Sequence, residues 1–226
     1  HKNPNLLNQL LDWINYRITN GHMLFACSFR SNGNLLSQWR GYSRHGKGVS
    51  LGFDPGYIMQ CAEQQSFQIG RCIYGEGEQK ALISQVVDAV EALAEDQQDE
   101  FARMAGAQTL AYQAIFRKME SDLLRIAALL KHPSFQEEEE WRVISPVITD
   151  YVDEQVCFRE GTSMLVPYVE FGFSEHQDAP FAMDHLYLGP TPNITLSMNS
   201  LTMFLTKSGI RPKEGITYCR IPYLGR

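Results

Sequence analysis

Apolar positions change their spacing several times along the chain, and each change marks an element. After Asn3-Pro4-Asn5, the residues Leu6, Leu7, Leu10, Leu11, Ile14 and Ile18 recur at the spacing of one helix face. Asn20-Gly21 supplies a stop. Residues 22–29, 48–54 and 67–74 are short apolar-rich runs and predict strands. Asp54-Pro55-Gly56 is a turn into a short helix around 57–62. The period then returns to helical. Two long patterns, about 78–95 and 98–131, are joined by Glu95-Asp96-Gln97-Gln98-Asp99 and predict a helical hairpin packed on the sheet. In the second, Leu110, Ile115, Met119, Leu123, Ile126 and Leu130 form a stripe expected to face the core. His132-Pro133 ends that helix. Strands follow at 141–145, 155–160, 164–171, 184–189 and 216–221, and a helix at 200–208 ends at Gly209.

Strands and helices follow no regular βαβ series, and no repeat or low-complexity linker interrupts them. The expectation is an α+β fold with a mixed or antiparallel sheet core, forming a single domain over 1–226 with a helical insertion at about 78–131. A length of 226 residues is ample for a sizeable core.

Composition adds exclusions. The net charge of −6 argues against non-specific coating of nucleic-acid backbone, though not against a local basic pocket. Cys27, Cys61, Cys72, Cys157 and Cys219 are an odd number without a CxxC, so no disulfide framework or zinc site is expected. Cys27 and Cys72 lie in strand-like runs and are expected to be buried thiols. A reducing, cytoplasmic setting fits best. No apolar run approaches the roughly 20 residues of a membrane span, so no membrane partner is expected. His22, His132, His176 and His185 are scattered and form no metal-ligand pairing. His45, Gly46 and Gly48 read as a turn, because neither a Walker A nor a GxGxxG pattern surrounds them.

Two blocks concentrate chemistry. Leu36-Ser37-Gln38-Trp39-Arg40-Gly41-Tyr42 lies between two predicted strands, where loops carry binding groups. Gln38, Trp39, Arg40 and Tyr42 can hydrogen-bond, stack and present a fixed positive charge, which suits a flat, partly anionic ligand. The alternative is a buried Trp with a structural Arg salt bridge. The second block is the acidic run 137–140 leading into Trp141-Arg142. A strand beginning near Glu138 puts Glu138, Glu140 and Arg142 on one face, with Trp141 and Val143 on the other, and Trp39 and Trp141 are both expected to be mostly buried. A carboxylate aimed in this way suits a ribose hydroxyl or an oxocarbenium-like centre. The alternative is a structural ion pair at the start of the strand.

Together with Phe25-Ala26-Cys27-Ser28-Phe29, Gly48-Val49-Ser50-Leu51-Gly52-Phe53-Asp54 and Leu130-Lys131-His132-Pro133-Ser134-Phe135, these blocks resemble the bacterial family of domain of unknown function 2971. Leu165-Val166-Pro167-Tyr168-Val169, Leu188-Gly189-Pro190 and Arg220-Ile221-Pro222-Tyr223 also fit, so the resemblance runs from about residue 22 to the end. The family's plan in turn resembles ADP-ribosyltransferase-like domains. That implies an NAD-consuming or ADP-ribose-transferring effector in bacterial defence or toxin systems, with NAD as substrate and no metal. Ser28 and the Trp39-Arg40 block would line the NAD pocket, and Glu140 would be the acidic residue near the ribose. A protein or nucleic-acid acceptor is implied. The early aromatic-His-Tyr-Thr segment of such domains is not found before residue 22, so the expectation is either a missing N-terminal segment, with the chain part of a longer polypeptide or complex, or a member that supplies that half of the site differently. The rival class is a non-catalytic, nucleotide- or protein-binding regulatory module. Nuclease-like chemistry is disfavoured, because no Asp/Glu/Lys metal cluster is apparent.

Overall fold

Pro4 pre-sets the backbone of the first helical turn, and α1 runs over Pro4–Thr19 with Leu6 and Leu10 buried. The computed structural model describes residues 4–20, 23–43, 48–96, 107–149, 152, 155–173 and 182–221. The readings placed on Gly21, His22, His45, Gly46, residues 97–106, His176 and Pro222-Tyr223 lie outside the described residues. The strands in chain order are β1 (Ala26–Arg30), β2 (Val49–Gly52), β3 (Gln68–Arg71), β4 (Glu140–Ile144), β5 (Cys157–Glu160), β6 (Leu165–Tyr168), β7 (His185–Leu188) and β8 (Ile216–Tyr218). After α1 come α2 (Leu36–Tyr42), α3 (Pro55–Gln64), α4 (Glu76–Asp96), α5 (Ala107–Lys118), α6 (Glu120–Leu129) and α7 (Ile194–Lys207), with a 3-10 helix at Pro133–Glu138. The fold is mixed α+β, and the strands among the described residues form three small sheets.

Two compact units are present, each made from two stretches of chain: His1–Phe29 with Ser66–Glu170, and Arg30–Gln65 with Phe171–Arg226. In the first unit a sheet runs in the order β1-β4-β3. β3 and β4 are antiparallel, with Ile69 opposite Val143 and Arg71 opposite Trp141. Ahead of β1, the Phe25 carbonyl accepts from the Ser145 N–H at 2.9 Å, and Met23 and Ile148 form an antiparallel bridge. α6 lies against Gly70, where a Cβ would meet Leu129 Cδ1 at 2.7 Å. A side chain at this position would therefore need the Leu129 side chain to shift. β5 and β6 form a separate antiparallel hairpin.

The unit's main core is helical. Leu6 and Leu10 of α1 meet Val87, Val90 and Ala94 of α4, Ala111, Tyr112, Ile115 and Phe116 of α5, and Leu123 of α6. The 78–131 segment thus packs with α1, while α6 also covers the sheet. The pattern read as one helix over 98–131 is two helices where it is described. Met119 leaves helical angles at φ −99°, ψ 13°. Hydrogen bonds from Met119 N–H to Ile115 O and from Leu123 N–H to Met119 O carry the ladder across the break. The stripe therefore survives with its ends loosened: Ile115 and Leu123 are buried, Met119, Ile126 and Leu130 are half-buried, and Leu110 is exposed.

In the second unit the sheet order is β2-β7-β8, with β2–β7 antiparallel and β7–β8 parallel. α7 provides the crossover between the parallel pair, as parallel pairing requires. Met183, Leu186 and Leu205 form one buried cluster there. α7 begins earlier than the spacing suggests, because Asn193 caps it by accepting from Leu196 N–H at 3.1 Å. It ends as expected: Gly209 takes φ +69°, and Ile210 N–H reaches back to Leu205 O at 2.9 Å. Asp54 caps α3 by accepting from Tyr57 N–H at 2.9 Å, with Pro55 opening the helix.

Three further expectations are corrected. Residues 36–42 form a helix, not a loop: none of them breaks a helix before Gly41, and burying Trp39 on one face rewards helical spacing. Cys27 is exposed, because β1 is an edge strand, whereas Cys72 is buried as expected. Trp141 is 41% exposed, because it sits at the end of the sheet opposite the exposed Arg71, while Val143 on the same face is fully buried.

Candidate functional site

β4 alternates, so Glu140 and Arg142 share one face of the sheet in the first unit. Glu140 is 2% exposed. Its backbone is held on both sides, the N–H donating to Tyr74 Oη and the carbonyl accepting from Cys72 N–H, each at 2.8 Å. Its side chain meets three donors. Ser28 of β1 donates its hydroxyl to Oε1 at 2.5 Å, and Arg142 donates Nε–H to the same oxygen at 2.7 Å. Lys131 binds Oε2. Arg142 is steadied in turn by the Ala128 carbonyl of α6.

Glu138 joins the cluster by a route other than the one expected. It does not lie on the strand but ends the 3-10 helix, which His132 caps by accepting from Ser134 N–H. Glu139 then takes left-handed angles, φ 41° and ψ 48°, and the chain turns into β4. Glu138 and Glu140 thereby bind the same Lys131 ammonium. Phe135, on the same 3-10 helix, lies with its ring centroid 5.1 Å from that ammonium.

The charges of Lys131 and Arg142 balance those of Glu138 and Glu140. Burial alone would raise the Glu140 carboxyl, but the hydrogen bonds from Lys131, Ser28 and Arg142 outweigh it and hold the pKa at about 2. Burial would likewise lower Lys131, yet its bonds to Glu138 and Glu140 raise it. Glu140 is thus a fixed anion at any ordinary pH and does not trade protons. It can attract developing positive charge or accept a hydrogen bond.

The other candidates belong to the second unit. Trp39 of α2 is 5% exposed, and its indole N–H donates to Asn34 Oδ1 at 2.9 Å, so its ring is mostly committed to packing. Gln38 is half-buried. Arg40 is exposed and forms no ion pair among the described residues. Tyr42 is 74% exposed, with the Arg30 guanidinium 5.4 Å from its ring centroid and hydrogen-bonded to its hydroxyl at 3.3 Å. The candidates therefore divide: Ser28, Glu138, Glu140 and Arg142 converge in the first unit, and Gln38, Trp39, Arg40 and Tyr42 share α2 in the second.

Sequence reasoning missed Lys131 and Tyr74. Lys131 stands beside the helix-stopping His132-Pro133, and a lone Lys near an acidic run carries no spacing signal of its own. Among the described residues no three His, Cys, Asp or Glu side chains are grouped to hold a metal ion. No helix among them is long and apolar enough to cross a membrane.

The family described as protein of unknown function (DUF2971) matches residues 38–143. That stretch contains both Trp-Arg blocks, which supports the family resemblance drawn from them. No curated protein and no solved structure matches the chain.

Proposed function

We propose that the first unit carries an NAD-directed site, in an effector that transfers ADP-ribose or consumes NAD in bacterial defence or toxin systems. The observation that carries this reading is Glu140, a carboxylate kept ionised and aimed by Lys131, Arg142 and Ser28. When the bond between nicotinamide and ribose breaks, its electron pair leaves with nicotinamide and the sugar gains oxocarbenium character. A fixed anion stabilises that charge, and it costs no reorganisation when already held in place. Water or an acceptor nucleophile then adds to the sugar carbon and loses a proton. Glu140 supplies the charge and accepts from a ribose hydroxyl. Ser28 and Arg142 orient it, and Glu138 shares its lysine. Taken by itself, the second unit offers a separate candidate surface on α2, where the exposed Arg40 fork and Tyr42 ring suit a flat, anionic ligand, Gln38 adds an amide, and Trp39 supports the helix that presents them.

A second reading, a non-catalytic nucleotide- or protein-binding regulatory module, is favoured by one specific observation. Glu140 is nearly inaccessible, and three of its four acceptor positions are taken. A structural ion pair has the same appearance.

Incubation with NAD and candidate macromolecules, followed by mass spectrometry for free nicotinamide and added ADP-ribose, separates the two. The enzyme reading expects release by the wild type and none by Glu140→Gln. Calorimetric nucleotide binding with no nicotinamide release supports the module instead. Arg40→Lys is expected to weaken nucleotide binding, because Lys lacks the planar fork.

A further inference from the structure

We propose that Lys131 is a positioning residue with two stations, and that its withdrawal from Glu140 onto Glu138 opens the carboxylate to a ribose hydroxyl. This rests on the reading of Glu140 as the carboxylate that meets the sugar. The two oxygens of Glu140 are held unequally. Among the described residues, Oε1 receives both Ser28 and Arg142, at 2.5 Å and 2.7 Å, whereas Oε2 receives Lys131 alone. The remaining acceptor position is on Oε2 beside the ammonium, and Glu140 is nearly inaccessible, so a hydroxyl that donates there needs the ammonium to withdraw.

Only the lysine side chain is free to respond. Its backbone N–H donates to Ile73 O at 3.1 Å, and its carbonyl accepts from Gln79 Nε2 at 2.8 Å. The same Gln79 amide also binds Ile73 O at 2.7 Å, which ties that turn to α4. Pulling one partner out of a buried ion pair is ordinarily costly, because each charge is left alone. Here neither is. Lys131 keeps Glu138 and stays near the Phe135 ring, both carried by the 3-10 helix, while Glu140 keeps Arg142 and Ser28. Glu138 therefore makes the exchange inexpensive, which gives the second carboxylate a purpose that charge balance alone does not.

The test uses the full chain, NAD and ADP-ribose. Wild-type protein is expected to release nicotinamide, and the Lys131 ammonium signal in nitrogen-15 NMR is expected to shift on saturation with ADP-ribose. In Glu138→Gln the ammonium has no second anionic station. KM for NAD should rise about tenfold with kcat changed less than about twofold, and the shift should vanish. Glu138→Asp should restore part of both. A lysine that only stabilises the fold would move neither the KM-to-kcat split nor the ligand-dependent signal. Turnover in the wild type with an unmoved Lys131 signal, or with KM unchanged in a folded Glu138→Gln, overturns the two-station proposal alone. No turnover and no ADP-ribose binding in the wild type overturns the site reading and this proposal with it. Should Glu138→Gln fail to fold, the wild-type NMR shift and Glu138→Asp decide the matter.

Discussion

Replacing Glu140 by Gln keeps the size of a nearly water-free side chain and deletes its charge. The folded pKa is about 2, and an unfolded Glu titrates near ~4.3. Because the folded value is the lower one, the ionised form favours the native state. The stabilisation is fully present above about pH 4.5, declines as pH falls through that interval, and is lost near pH 2. A difference of roughly 2 pKa units corresponds to about 3 kcal/mol. Little is taken off for solvent screening, since the Lys131, Glu138, Glu140 and Arg142 side chains are between 2% and 21% exposed. Glu140→Gln should therefore cost about 3 kcal/mol at pH 7, at the lower edge of what breaking a buried pair costs. The gap should close to below about 1 kcal/mol near pH 2.5, because only the wild type loses a charge there. The assay is amide hydrogen exchange at Cys72 and Ser145, whose N–H groups donate to Glu140 O and Phe25 O and so report on this sheet. Comparing the two proteins at each pH cancels the other carboxylates. A gap of equal size at pH 7 and pH 2.5 would refute the view that the donors around Glu140 stabilise its ionised form.

Phe116→Ala should cost about 3–5 kcal/mol in urea unfolding, since Phe116 is fully buried among α1, α4 and α5, whereas Leu110→Ala on the exposed side should stay within about 0.5 kcal/mol. Gly70→Ala should destabilise by about 1–3 kcal/mol, because its Cβ would meet Leu129 at 2.7 Å. Leu129→Ala in the same chain should remove most of that penalty, and additive effects in the double-mutant cycle would contradict the contact. Trp39→Phe should lose about 1 kcal/mol with the indole–Asn34 hydrogen bond, and Asn34→Ala should add little to it, as read from unfolding midpoints.

What the sequence determined by itself is local. Proline at the start of α1, the Asp54 cap of α3 and the glycine that ends α7 act within a few residues, so each was legible along with the apolar period beside it. The resemblance carried by the two Trp-Arg blocks was legible for the same reason, since each block is contiguous. The cluster around Glu140 was only half legible. The carboxylate and Arg142 lie two apart on a strand and share a face whatever surrounds them. Ser28 reaches Glu140 across 112 residues of chain, and that contact exists only because β1 pairs with β4. Glu138 and Glu140 meet at Lys131 through a left-handed turn at Glu139, a non-glycine residue that gives no warning of positive φ. Helical residues 36–42 became a helix through the burial of Trp39, a gain supplied by partners distant in sequence. Neither unit is contiguous, and spacing within a window carries no record of which segments will meet. Tertiary structure alone decided that Glu140 is buried and that its charge is held by a lysine shared with a second carboxylate.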